Sequence, residues 1–401
     1  MKSIARRAAS AALSSALCAA LSLSALPAVS QTLSYLGQQI VPTSASFRGV
    51  PVGGLSSIDY VPATGRYLAI SDDRSDRGPA RFYELALDLS KFRRSATPGD
   101  AGVSWVNMTT LFDLDGQPFA RNMVDPESLR LDGKRGLIYW SNEGQRSSGG
   151  FQNPTLRRMT PDGRPAGEFP VPAYYNPTGS ASGLAAGDGG VFNNLAFESI
   201  AITPDGKTLW TMSENGLAQD SLPTAVGRGS RARMLSFDLE TGKAGAEYVY
   251  EVGPVPFPPA RSGDFSTNGV PDMLALSDHE FIVIERAYAV GARTPGVAAL
   301  TKQPTSNTIK LFLIDTRGAT DVSGWPTIKG RDLTPVKRTM LLDLSSLKND
   351  DGSVLALDNI EGITFGPVVD GKRTLILVSD NNFNPAQFTQ FIALTVDGPL
   401  P

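Results

Sequence analysis

Acidic residues recur along this 401-residue chain at spacings that could place them together. Glu127-Ser128-Leu129 is followed by a connecting stretch and then Leu137-Ile138-Tyr139-Trp140-Ser141-Asn142-Glu143. Glu198-Ser199-Ile200 leads in the same way to Thr208-Leu209-Trp210-Thr211-Met212-Ser213-Glu214, 71 residues further on and without a gap. Three weaker copies exist. Ser56-Ser57-Ile58 precedes Tyr67–Asp72, Asp272-Met273-Leu274 precedes Phe281–Glu285, and Glu361-Gly362-Ile363 precedes Thr374–Asp380. In each copy two apolar runs flank a turn such as Thr64-Gly65-Arg66 or Pro204-Asp205-Gly206, the residue types that tight hairpins require.

A hairpin returns its second strand to the end where its first began. The leading acids Glu127, Glu198, Asp272 and Glu361 should therefore share one end of the fold with the trailing acids Asp72, Asp73, Glu143, Glu214, Glu285 and Asp380. Like charges ~4 Å apart repel by ~1–4 kcal/mol, depending on the local dielectric. Such a set must protonate in part, spread into solvent or hold a cation. A lone acid at a strand end is explained by bonds to backbone N–H groups, so the metal reading rests on the set. All-oxygen donors suit Ca²⁺ best, with Mg²⁺ or Mn²⁺ as alternatives. The metal-ligand candidates are Asp72, Glu127, Glu143, Glu198, Glu214, Glu285, Glu361 and Asp380. A carboxylate base would come from Glu127, Glu198 or Glu361. Arg74, Arg77, Arg146 and Arg286 lie beside these acids in sequence. Guanidinium groups next to a metal suit an anionic small-molecule substrate, a phosphoester above all.

Other chemistry is excluded by what is missing. His279 is the sole histidine and sits in an apparent turn, so neither a Ser-His-Asp triad nor a His-based zinc site can form. Cys18 is the sole cysteine, and it falls in an export-signal pattern. Lys2, Arg6 and Arg7 precede an apolar run from Ala8 to Leu26, and Ala28-Val29-Ser30 supplies small residues for cleavage. Residues 1–30 are thus expected to be a signal peptide, and 31–401 an exported, periplasmic or secreted domain. No later segment is apolar enough to keep the cleaved protein in a membrane. The first thirty residues hold three of the 37 basic residues and no acid, leaving 34 basic against 40 acidic residues. A net charge of −6 argues against a nucleic-acid partner.

Each repeat carries two further strand-like runs, for example Met234–Leu239 and Glu247–Val252. Four antiparallel strands per repeat make the blade of a β-propeller. The expected fold is therefore all-β, a propeller of five blades by repeat count. Six blades are open if 287–306 hides strands, and an open sheet stack or a β-sandwich is the alternative. The fifth repeat runs out of chain after Phe388–Val396, so its missing strand should come from the N-terminus, Thr32–Val41.

Several of these segments resemble a known family. Gly54-Leu55-Ser56-Ser57-Ile58 with Ser71-Asp72-Asp73-Arg74, Asp125-Pro126-Glu127-Ser128-Leu129, Asn194–Ile200 with Ser213-Glu214-Asn215-Gly216, and Asn359-Ile360-Glu361-Gly362-Ile363 with Ser379-Asp380-Asn381-Asn382 look like the phytase-like domain of exported bacterial proteins. That family carries the label "esterase-like activity of phytase". The resemblance implies a propeller that hydrolyses phosphoesters or related esters, with calcium as a candidate cofactor. A propeller lactonase or carboxylesterase and a non-catalytic ligand-binding propeller are the competing readings.

Overall fold

The computed structural model describes residues 32–398; the expected signal segment lies outside them. Five four-stranded antiparallel blades follow one another along the chain. Their inner strands are Leu55–Val61, Pro126–Asp132, Phe197–Ile202, the pair Ser266–Gly269 and Met273–Ala275, and Asn359–Val369. The inner strands of successive blades abut, and that of blade 5 meets that of blade 1, which closes the ring. Among the described residues no strand lies between Ala289 and Asn307, so the count is five.

The apolar runs are continuous where a half-exposed strand would alternate, and the blade packing explains why. Leu375, Ile376, Leu377 and Val378 are all fully buried. Side chains of a strand point alternately to its two faces. Leu375 and Leu377 accordingly enter the core between blades 4 and 5, whereas Ile376 and Val378 enter the core between blades 5 and 1. Phe281 and Val283 against Ile282 and Ile284 divide in the same way in blade 4. Each such side chain contributes roughly 1.5–3 kcal/mol by leaving water. Five inter-blade cores built this way hold the ring together.

Closure uses both ends of the chain. Thr32–Pro42 pairs antiparallel with Phe388–Asp397, from Leu33 opposite Val396 to Pro42 opposite Phe388. The last blade therefore has the order N-terminal strand, Phe388–Asp397, Lys372–Asp380, Asn359–Val369. The N-terminal strand covers the edge that Phe388–Asp397 would otherwise leave unpaired.

Candidate functional site: a buried carboxylate cluster

The register of the inner strands sets the direction of the leading acids. In blade 3 the ladder slips between Phe197 and Ser199, which leaves Glu198 as the extra residue of a β-bulge. The same slip falls on Glu361 in blade 5 and on Glu127-Ser128 in blade 2. A bulge re-aims the side chain it carries. Here it turns three glutamates out of the inter-blade packing and towards the axis. Blade 1 has the same slip at Ser56. The trailing acids stand beside them, because the second strands end there: Asp72, Glu143 and Glu214 follow directly on Ser71, Asn142 and Ser213, and Asp380 closes its strand.

The result is a cluster of eight carboxyls: Asp72, Asp125, Glu127, Glu143, Glu198, Glu214, Glu361 and Asp380. Oxygens of Asp125, Glu127 and Glu143 all lie within 4.8 Å of one another. Two glycines make room for it. A Cβ on Gly54 would meet Asp72 Oδ1 at 2.1 Å, and one on Gly269 would meet Glu214 Oε1 at 2.1 Å. Arg74 binds Asp125 and donates to Asn194 Oδ1 at 2.9 Å. Arg286 reaches Glu361 at 3.0 Å and Glu214 at 3.3 Å. Glu361 also accepts from Asn359 Nδ2 at 2.9 Å.

Two guanidinium groups do not neutralise eight acids in a site removed from water. Burial, ahead of mutual repulsion, raises the pKa of every one of the eight. Asp72, Glu214 and Glu361 are each pushed up to about 7, and in the last two Arg286 restrains the rise. Glu127 and Glu198 go well above the usual carboxylate range, since each faces several other acids. Glu143 accepts the backbone N–H of Ala196 at 2.7 Å through Oε1 and shares hydrogen bonds with the carboxyls of Glu198 and Asp125. Burial disfavours the charged form.

Several expectations are corrected by the geometry. Glu285 does not join the cluster. The second strand of blade 4 runs on from Glu280 to Ala289 without ending, so strict alternation turns Glu285 away and brings Arg286 to the axis. Glu285 instead accepts from Tyr250 Oη at 2.6 Å and Asn268 Nδ2 at 3.0 Å and pairs with Arg338. Asp272 is more fully buried than the glutamates, and Arg130 Nη2 donates to both of its oxygens at 2.9 Å. Asp73 is tied to Arg81 at 2.6 Å and caps the N–H groups of Asp76 and Arg77. Arg146 is buried and donates to the carbonyls of Thr178, Ser180, Gly189 and Val191, so its place is structural. The Arg77 side chain is 54% exposed and beside Asp76. His279 is exposed in the turn before Glu280.

Asp125 is the member the repeat comparison overlooks. Its signal was the dipeptide step to Glu127: Asp125 precedes the bulge and its carbonyl accepts Glu143 N–H at 2.9 Å, which brings both acids to the same edge. The cluster opens into a cavity of about 1040 Å³ whose walls come from blades 3, 4 and 5. Among the described residues no helix is long and apolar enough to cross a membrane.

Among solved structures the chain is similar to "Kuenenia stuttgartiensis Hydrazine Synthase", at 12% identity over 84% of this chain and 81% of that one, with a TM-score of 0.36. It is also similar to "Structure of Dos1 propeller", at 8% identity over 87% and 69%, with a TM-score of 0.34. Both superpositions are loose, and the propeller assignment stands on the strand pairings. No curated protein matches the chain. Residues 50–383 match the family described as "Phytase-like: Esterase-like activity of phytase", and the chain belongs to that family.

Proposed function

We propose that the protein is an exported, calcium-dependent phosphoester hydrolase that works at the carboxylate-lined mouth. The observation that carries this reading is a group of three buried acids, Asp125, Glu127 and Glu143, whose oxygens lie within 4.8 Å of one another. A hard cation fits that donor set, since it offsets the repulsion and takes the place of shared protons. Asp125, Glu127 and Glu143 would hold it, with Glu198 and Asp72 next to them; Mg²⁺ or Mn²⁺ would use the same oxygens. A bound divalent cation supplies Lewis-acid stabilisation of negative charge on a phosphoryl oxygen.

The chain's own residues would do the rest. Arg286, on the cavity wall, would orient an anionic group, while Arg74 holds Asp125 in place. Glu361 is fixed by Asn359 and Arg286, and its pKa near neutrality suits a general base that must both take and release a proton. The test is turnover by chelator-treated protein on phosphomonoester, phosphodiester, phytate and lactone panels. Phosphoester turnover should return on adding Ca²⁺. Turnover indifferent to chelator, or confined to lactones and carboxyl esters, would refute this reading. Specific binding without any turnover would favour a non-catalytic propeller.

A pH dependence follows from the raised carboxyls. A group whose folded pKa exceeds its unfolded value stabilises the fold below the unfolded value, and that contribution is lost as pH rises through the folded one. Metal-free protein should therefore lose melting temperature from pH 5.5 to pH 8, through the region near 7 set by Asp72, Glu214 and Glu361. Saturating Ca²⁺ should flatten that slope, and its binding near pH 6.5 should release protons. Calorimetric titration in two buffers of different ionisation enthalpy reads the release directly. A binding heat independent of the buffer would contradict the account.

A further inference from the structure

The cavity above the cluster has two unlike ends. Arg286 is its one cationic lining residue, against Glu214, Asp358 and Glu361. Arg286 and Tyr288 lie two apart on one strand and so share a face, with roughly 7 Å between their Cα atoms. Beside Arg286 an aromatic pair stands in an otherwise largely polar wall. The Phe265 ring lies 6.4 Å from that of Tyr288 at 39°, and Phe265 is 64% exposed. Leu184, Phe192 and Pro223 line the same cavity, Leu184 being 61% exposed on the loop that Arg146 pins by its carbonyls. Single exposed apolar side chains need no explanation, but several lining one cavity beside a charged cluster mark a binding surface.

From this arrangement we infer the substrate class: a singly phosphorylated ester whose leaving group is uncharged and carries an aromatic or other flat apolar part. The phosphoryl group would sit by the carboxylate cluster and Arg286, and the leaving group against Phe265 and Tyr288. A polyphosphorylated ring such as phytate is disfavoured, because its several negative charges would meet one guanidinium and three acids along the cavity wall. The inference rests on the phosphoesterase reading of the mouth.

The experiment compares phenyl phosphate, methyl phosphate and phytate with Ca²⁺ present, on the full protein and on Phe265→Ala and Tyr288→Ala. Phenyl phosphate should show a KM ~10-fold below that of methyl phosphate, the scale expected for one aromatic ring packed on another. Each variant should lose most of that advantage through a rise in its KM for phenyl phosphate. A preference for phytate, or variants with an unchanged KM for phenyl phosphate, would overturn the inference while leaving calcium-dependent hydrolysis standing. Should no ester be turned over, the phosphoesterase reading falls, and the leaving-group preference is read from binding instead. Phenylphosphonate bound ~10-fold more tightly than methylphosphonate supports it; equal affinities overturn it.

Discussion

Replacing Glu127 and Glu198 together by glutamine should abolish the calcium response of this protein while raising the melting temperature of its metal-free form by a few degrees. Glu198 is pressed by Glu143, Glu214 and Glu361, and Glu127 by Glu198, Asp125, Glu143 and Asp72. Both carry pKa values well above their ordinary range because charge there is costly. Glutamine keeps the shape with no carboxyl to protonate, so the metal-free fold is relieved of the cost of holding these two groups neutral above their ordinary pKa. The same change removes Glu127 from the acids that would bind the cation, and Glu198 from beside them. Added Ca²⁺ stabilises by mass action only while it binds the native state, so the shift in melting temperature should vanish. Calcium-dependent turnover should fall at least ~100-fold, as expected when electrostatic stabilisation of the transition state is lost.

Glu285→Gln is the matched control. It lies at the third step of the same 71-residue spacing as Glu143 and Glu214, yet its partners are Tyr250, Asn268 and Arg338. That variant should keep its calcium response in full. Thermal melts of both variants with chelator and with Ca²⁺ decide the matter. A double variant that still gains stability from Ca²⁺ would place the cation elsewhere or nowhere.

The contrast between Glu214 and Glu285 shows how far the sequence could be read. The repeat, the strand order and the closing strand were legible because each blade must bury both faces, which writes continuous apolar runs between turns. The five leading positions were legible only in part. Glu127, Glu198 and Glu361 reach the axis because a bulge falls on them, and the matched flanking residues betray that bulge. In blade 4 the inner strand is broken around Val270-Pro271-Asp272, and the second strand continues past the point where the others end. One register change of this kind inverts every side chain that follows it. Spacing alone therefore assigns Glu285 to the mouth when the structure puts Arg286 there. The aromatic pair of Phe265 and Tyr288 repeats in no other blade, so self-comparison had no signal for it. The aromatic residues were visible, but nothing in the sequence distinguished them from core.

Arg130→Met should be among the most destabilising single substitutions in the ring, costing about 3–5 kcal/mol, the range for an ion pair broken in a protein interior. Arg130 leaves the inner strand of blade 2 and crosses the axis beneath the glutamates. Its Nη2 binds both oxygens of Asp272 in blade 4, at 2.9 Å each, and approaches the Ile363 carbonyl of blade 5 at 3.2 Å. Its Nη1 donates to Ser57 Oγ of blade 1 at 2.7 Å. Asp272 in turn accepts the Ile363 N–H at 2.9 Å. One buried group thus ties four of the five blades. Burial raises the Asp272 carboxyl to about 6, and Arg130 limits that rise. Without Arg130 the acid should hold its proton to higher pH. The variant's deficit should therefore be smaller at pH 5.5 than at pH 8, where an unpaired buried charge would have to be carried. Asp272→Asn should cost less, because it leaves a guanidinium that still has four carbonyls and a hydroxyl to bind. In the double variant no charge is stranded, so its loss should be smaller than the sum of the two single losses by ~1–3 kcal/mol. Denaturant unfolding of the four proteins at both pH values reads that coupling energy. Strictly additive losses, or an Arg130→Met deficit below ~1 kcal/mol at pH 8, would mean that the inter-blade cores close the ring without this pair.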